Sequence, residues 1–112
     1  MPSTQNYIDG EWRDSGSGGT FETHNPAAPG EVIAEYQEST AGDADAAVAA
    51  AADAAAEWAS LPAPERGAIL KAAGDVLADR KEELTAQLTR EEGKTHAEAG
   101  GEVQRAIDIF HY

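Results

Sequence analysis

A mixed α and β chain is expected from three features of the sequence. The first forty residues alternate short extended stretches with Gly, Pro and Asn turns, apolar spacing turns helical after Thr40, and two stop signals, Leu61-Pro62-Ala63-Pro64 and Gly93, divide the helical part. The expected architecture is therefore short antiparallel strands and turns over residues 1–40, then three α-helices over residues 41–112.

The strand region opens with Tyr7-Ile8, Asp9-Gly10 and Glu11-Trp12-Arg13, in which Asp-Gly is a strong type I′ hairpin signal because both turn positions need positive φ. Ser15-Gly16-Ser17-Gly18-Gly19 has only small side chains and is expected to form an exposed loop that buries nothing. Phe21-Glu22-Thr23 resumes an extended segment. Asn25-Pro26 and Pro29-Gly30 bound a turn, and Glu31 to Tyr36, with Val32, Ile33 and Tyr36, reads as the last strand of a small meander.

Thr40-Ala41-Gly42-Asp43 fits a capping box for a first helix ending near Ser60, with Val48, Ala51, Ala52, Ala55 and Trp58 as its core-facing stripe. A second helix is expected from Pro64, whose missing N–H is harmless in a first turn, to about Gly93. Its stripe is Ile69, Leu70, Ala73, Val76, Leu77, Leu84 and Leu88. Thr95-His96-Ala97-Glu98 is a second capping box, and Val103, Ala106, Ile107 and Phe110 fall at i, i+3, i+4 and i+7 of a third helix. Gly100-Gly101 weakens that helix by roughly 1 kcal/mol per glycine relative to alanine.

Composition bounds both stability and partners. Leu, Ile, Val and Phe supply only 16 of the 112 residues, while 24 are alanine, which favours helix but buries little area. The net charge of −13 makes nucleic acid and anionic membrane surfaces poor partners, and no Lys/Arg cluster overturns that average. Acidic, lysine-poor, alanine-rich composition also suits a salt-adapted cytoplasm, where counterions screen the self-repulsion. The polar opening residues and the lack of a long apolar run point to a cytoplasmic protein without a membrane span.

No reaction centre is visible among the residues. There is no cysteine to serve as a thiolate nucleophile or metal ligand. Gly93-Lys94-Thr95 resembles the end of a phosphate-binding loop, but Leu88 stands where the first glycine is needed and a helix precedes it instead of a strand. Gly16-Ser17-Gly18-Gly19 lacks the context and spacing of a dinucleotide fingerprint. His24, His96 and His111 are too far apart in sequence for imidazole metal-ligand spacing. Glu82-Glu83 and Glu91-Glu92 read as solvated acidic faces, because adjacent helical residues point in different directions.

The order of segments carries more. Tyr7-Ile8-Asp9-Gly10-Glu11-Trp12, Phe21-Glu22-Thr23 with Asn25-Pro26-Ala27, and Gly30-Glu31-Val32-Ile33 come first. Trp58, Pro64-Glu65-Arg66 with Ile69-Leu70, Leu84 to Leu88, Glu91-Glu92-Gly93-Lys94, and Glu102-Val103 with Arg105-Ala106 come after them. Over nearly its whole length the chain resembles the N-terminal segment of the aldehyde dehydrogenase family. It departs from the family's pattern at Thr95, at Gly100-Gly101 and at Pro29.

The resemblance implies an α/β fold with a Rossmann-like cofactor domain, of which this segment forms outer strands and helices. It implies NAD or NADP as the cofactor of the full-length enzyme, and a homo-oligomeric assembly. The family's catalytic cysteine, its glutamate, its oxyanion asparagine, its nucleotide-binding strands and its oligomerisation segment all belong to later parts of the chain. No catalytic or cofactor-binding residue is therefore assigned here, and the isolated chain is expected to be inactive and to bind neither cofactor tightly. Its expected partner is the remainder of an aldehyde dehydrogenase, on the same or a complementary chain. One site carries over by resemblance: a monovalent cation, K or Na, held by backbone oxygens near Thr23 and His24 and by the Glu91 carboxylate, donors that suit a hard cation. The alternatives are a non-enzymatic acidic helical interaction module and a partly disordered truncated remnant, the latter favoured by the thin apolar content.

Overall fold

The computed structural model describes residues 3–112 and has five strands and four helices: β1 (Ser3–Thr4), β2 (Asn6–Ile8), β3 (Glu11–Arg13), β4 (Thr20–Asn25), β5 (Ala28–Gln37), α1 (Ala41–Ser60), α2 (Ala63–Asp79), α3 (Lys81–Glu92) and α4 (His96–His111). They gather into two units, Met1–His24 with Gly30–Ser60, and Asn25–Pro29 with Leu61–Tyr112.

In the first unit β2 and β3 form the hairpin that Asp9-Gly10 specifies. Both turn residues have positive φ (54° and 77°), and the register pairs Asn6 with Arg13, Tyr7 with Trp12 and Ile8 with Glu11. The Tyr7 and Trp12 rings meet at 4.8 Å between centroids, a cross-strand aromatic pair. The second sheet has the order β1, β5, β4, and β1 runs parallel to β5, with Ser3 opposite Glu35 and Thr4 opposite Tyr36. β1 is an addition to the strands expected from the sequence, which begin at Tyr7. A parallel partner needs a long crossover, and the hairpin, the loop and β4 between the two strands supply it.

Two further differences concern this unit. The expected loop is exposed at Gly16, Ser17 and Gly18, but Ser15 is buried, because its hydroxyl and amide find polar partners that neutralise the cost of removing them from water. On α1 the expected core stripe is not buried at all: Val48 is 68% exposed, Trp58 is 39% exposed, and Ala51, Ala52 and Ala55 are exposed. Among the described residues the helix packs chiefly on β2.

The second unit is a three-helix assembly around α4. Ala99, Val103 and Ile107 are its buried stripe, at i, i+4 and i+8. Both α2 and α3 pack on this face. The single helix expected from Pro64 to Gly93 is instead two, broken at Arg80 (φ −102°, ψ 13°), so the described residues form four helices and not three. No Pro or Gly marks the break. Arg80 still donates its N–H to Val76 O, while its guanidinium folds forward onto Glu83 in the first turn of α3. Thr85 then returns its hydroxyl to Lys81 O at 2.7 Å, a bond that bends helices, and its methyl lies where a Cβ on Gly100 would be 3.7 Å away. Gly100 thus lies at the α3–α4 contact. The turn from α3 to α4 is closed by Gly93 in the left-handed region (φ 75°), where a side chain would press on Pro26 Cγ at 3.1 Å. Thr95 then caps α4 by accepting from the Glu98 amide.

Candidate functional site

The expected cation ligands lie in different units. Thr23 is half-buried in β4, with its Oγ1 3.5 Å from Ala34 O, and His24 is exposed beside it with Nε2 3.7 Å from Glu22. Both belong to the first unit. Glu91 belongs to the second, half-buried in the last turn of α3, where it accepts from Gln87 Nε2 at 3.3 Å. Among the described residues no three His, Asp or Glu side chains converge as a metal site.

The densest polar cluster lies in the first unit and centres on Asp43. Thr40 N–H donates to Asp43 Oδ2 at 2.8 Å and Asp43 N–H donates to Thr40 Oγ1 at 3.1 Å, a reciprocal capping box that starts α1. The same carboxylate accepts from Ser15 Oγ at 2.5 Å and from the Gly16 amide at 3.1 Å. Gln37 Oε1 takes the Ser15 amide at 2.8 Å. The Ser15 hydroxyl, with the Thr40 and Gly16 amides, holds the Asp43 carboxyl down to about 2 from an ordinary 3.8. Such a weak base cannot take the Ser15 proton near neutral pH, and no imidazole stands between them, so the pair is a structural pin rather than an activated nucleophile. The capping role is legible in the sequence. The burial of Ser15 is not, because its partners lie 22 and 28 residues away.

In the second unit the residues that resembled a phosphate loop form a helix-to-helix turn. The Lys94 ammonium pairs with Glu102 and, at 3.4 Å, with Glu92, and chiefly the Glu102 hydrogen bond raises its pKa. The acidic pairs are likewise dispersed: Glu83 binds Arg80 at 2.7 Å, which lowers the Glu83 pKa, and Glu82 lies 3.4 Å from His96. A groove of about 280 Å³ is lined by Leu77, Leu84, Gln87, Leu88, Glu91, Val103 and Ala106. Its one titratable lining side chain is Glu91, the carboxylate that accepts from Gln87 Nε2.

These elements occur together in a known fold. The aldehyde dehydrogenase family profile matches residues 12–112. The chain belongs to the aldehyde dehydrogenase family. It is 60% identical over 109 residues to the α-ketoglutarate semialdehyde dehydrogenase of Haloferax volcanii, a match covering 97% of this chain and 23% of that one. An NAD-dependent aldehyde dehydrogenase from Sinorhizobium meliloti superposes with a TM-score of 0.93 at 34% identity, over 99% of this chain and 22% of the other. The betaine aldehyde dehydrogenase of Staphylococcus aureus, solved with NAD+, does so with a TM-score of 0.90 at 32% identity, over 97% and 22%. The chain thus spans less than a quarter of the length of these relatives, and its strands and helices form an α/β segment of the aldehyde dehydrogenase fold, the N-terminal one.

The strand-to-helix junction of this segment is not built as a dinucleotide cradle. β5 leads into α1 through Glu38-Ser39-Thr40, a strand-to-helix junction with no glycine for close approach of a pyrophosphate. The Asp43 carboxylate, which accepts the Thr40 amide at the start of α1, holds a negative charge there that would repel a phosphate.

Proposed function

We propose that this chain is the opening part of an NAD(P)-dependent aldehyde dehydrogenase that oxidises α-ketoglutarate semialdehyde to its carboxylic acid, in a salt-adapted cytoplasm. The observation that carries the reading is the 60% identity to the Haloferax volcanii enzyme over 97% of the chain. The reaction takes one aldehyde, one NAD(P)+ and one water to one acid, one NAD(P)H and a proton. Its nucleophile, its base and its cofactor cradle come from the remainder of the enzyme, and this segment contributes outer strands and helices to the cofactor domain. By itself the chain is inactive. The whole enzyme is a homo-oligomer that binds neither nucleic acid nor membrane. Among the described residues no helix is long and apolar enough to cross a membrane.

An acidic interaction module would be expected to show no exposed apolar face, whereas Ile69, Leu70 and Val76 of α2 are 51%, 45% and 54% exposed. That exposure supports an incomplete fold. The test compares the 112-residue chain with a fusion in which the residues beyond the matched segment of the Haloferax volcanii enzyme are appended after Tyr112, both in concentrated KCl. The fusion reduces NAD(P)+ with the semialdehyde and the chain alone does not. Turnover by the chain alone, or a folded fusion without activity, contradicts the reading. Ligation of K or Na by Thr23, His24 and Glu91 belongs to the same reading. It predicts a higher melting temperature of the fusion in KCl than in choline chloride of equal strength, a gap that Glu91→Gln removes; equal melting in the two salts excludes it.

A further inference from the structure

The N-terminal half of α2 presents an uncovered face with an unanswered polar group. Arg66 is half-buried and its Nε is fully shielded, yet it meets no hydrogen-bond acceptor, and the guanidinium makes no ion pair among the described residues. A shielded donor without an acceptor costs about 1–3 kcal/mol, more when charged, so a native fold almost always supplies one. Close to this group on the same helix stand Ile69 and Leu70, 51% and 45% exposed.

The direction of α4 indicates what covers them. Gly100 lies against Thr85 of α3, Val103 and Ala106 share a groove with Leu77 of α2, and the end of α4 reaches Gly74, where a Cβ would be 3.1 Å from Phe110 Cβ and 2.6 Å from His111 Nε2. His111 Nε2 is also 2.9 Å from Asp75 Oδ1. The order 106, 110 against 77, 74 shows that α4 runs antiparallel to α2. Continued at 1.5 Å per residue, it reaches the level of Leu70 after about four residues and that of Arg66 after about eight.

We infer that the stretch of polypeptide continuing from Tyr112 lies along α2 over Arg66, Ile69 and Leu70, packs apolar side chains on the latter two, and brings the carbonyl or carboxylate oxygen that Arg66 lacks. This rests on the reading of the chain as the opening part of a longer aldehyde dehydrogenase, since relatives more than four times as long supply the continuation.

The test is amide hydrogen exchange over residues 66–73 in the 112-residue chain and in the fusion described above. Exchange there slows by more than about tenfold in the fusion, as expected of a helix that gains tertiary cover. Ile69→Asp and Arg66→Met each lower the melting temperature of the fusion by several degrees, while Arg66→Met leaves the 112-residue chain unchanged or slightly more stable. Equal exchange in both proteins, or equal effects of both substitutions in the two backgrounds, overturns the inference. Activity separates the two ideas. An active fusion with residues 66–73 unprotected removes the inference alone, and a protected but inactive fusion removes the proposed function alone.

Discussion

In the first unit the buried side chains are Ile8, Ser15 and Gln37, two of the three polar, and a long helix stands with none of its residues buried. In the second unit the buried stripe of α4 is Ala99, Val103 and Ile107, and two helices pack on it. The first is ordered by directional hydrogen bonds converging on Asp43 and Gln37, the second by area removed from water. The difference shows how a chain with few large apolar residues can divide them: the spacing of α4 concentrates its share in one stripe, while the strand region relies on polar pins.

The sharpest way to break the contrast is Ile107→Ala. Ile107 is 3% exposed, and its truncation should cost about 2–4 kcal/mol in urea unfolding, with the loss concentrated in helix signal. Gly74→Ala should come next at about 1–3 kcal/mol, because the new Cβ meets the His111 ring and overpacking displaces α4 from α2. Ser15→Ala should cost about 1–2 kcal/mol, through the loss of a buried hydroxyl's bonds, and should leave α4 untouched by hydrogen exchange.

The pin also has a pH signature. Because the folded Asp43 carboxyl sits at about 2 and the unfolded one near 3.8, its contribution is complete above about pH 4 and fades as pH falls toward 2. The gap in melting temperature between the native chain and Asp43→Asn should therefore shrink across that window and stay constant above it. Arg80→Ala should have the smallest effect, within error in a thermal melt, because its partner Glu83 is as exposed as it is.

These contrasts also mark how far the sequence could be read. The Asp9-Gly10 hairpin, the Thr40-Asp43 capping box and the Thr95 cap are local signals that appear where their spacing places them, and of the expected α4 stripe Val103 and Ile107 are buried, Ala106 is half-buried and Phe110 is 40% exposed. The break at Arg80 carries no such signal, since neither Pro nor Gly stands where the backbone turns to φ −102° and ψ 13°. The parallel partner of β1 lies 32 residues away, beyond any turn rule. Periodicity indicates which face of α1 is apolar, but not whether anything within the chain covers it. Of the site, the lack of cysteine is read directly from the composition, while the Ser15 pin and the unmet Arg66 donor depend on distant neighbours.

The most direct measurement is the native size of the species in cells that contains the Glu82 to Arg90 peptide, read together with aldehyde-dependent reduction of NAD(P)+ in the same fraction. A species far heavier than 11.7 kDa that carries the activity is the predicted result. A folded monomer of 11.7 kDa without activity, accounting for all of the peptide, would contradict the account.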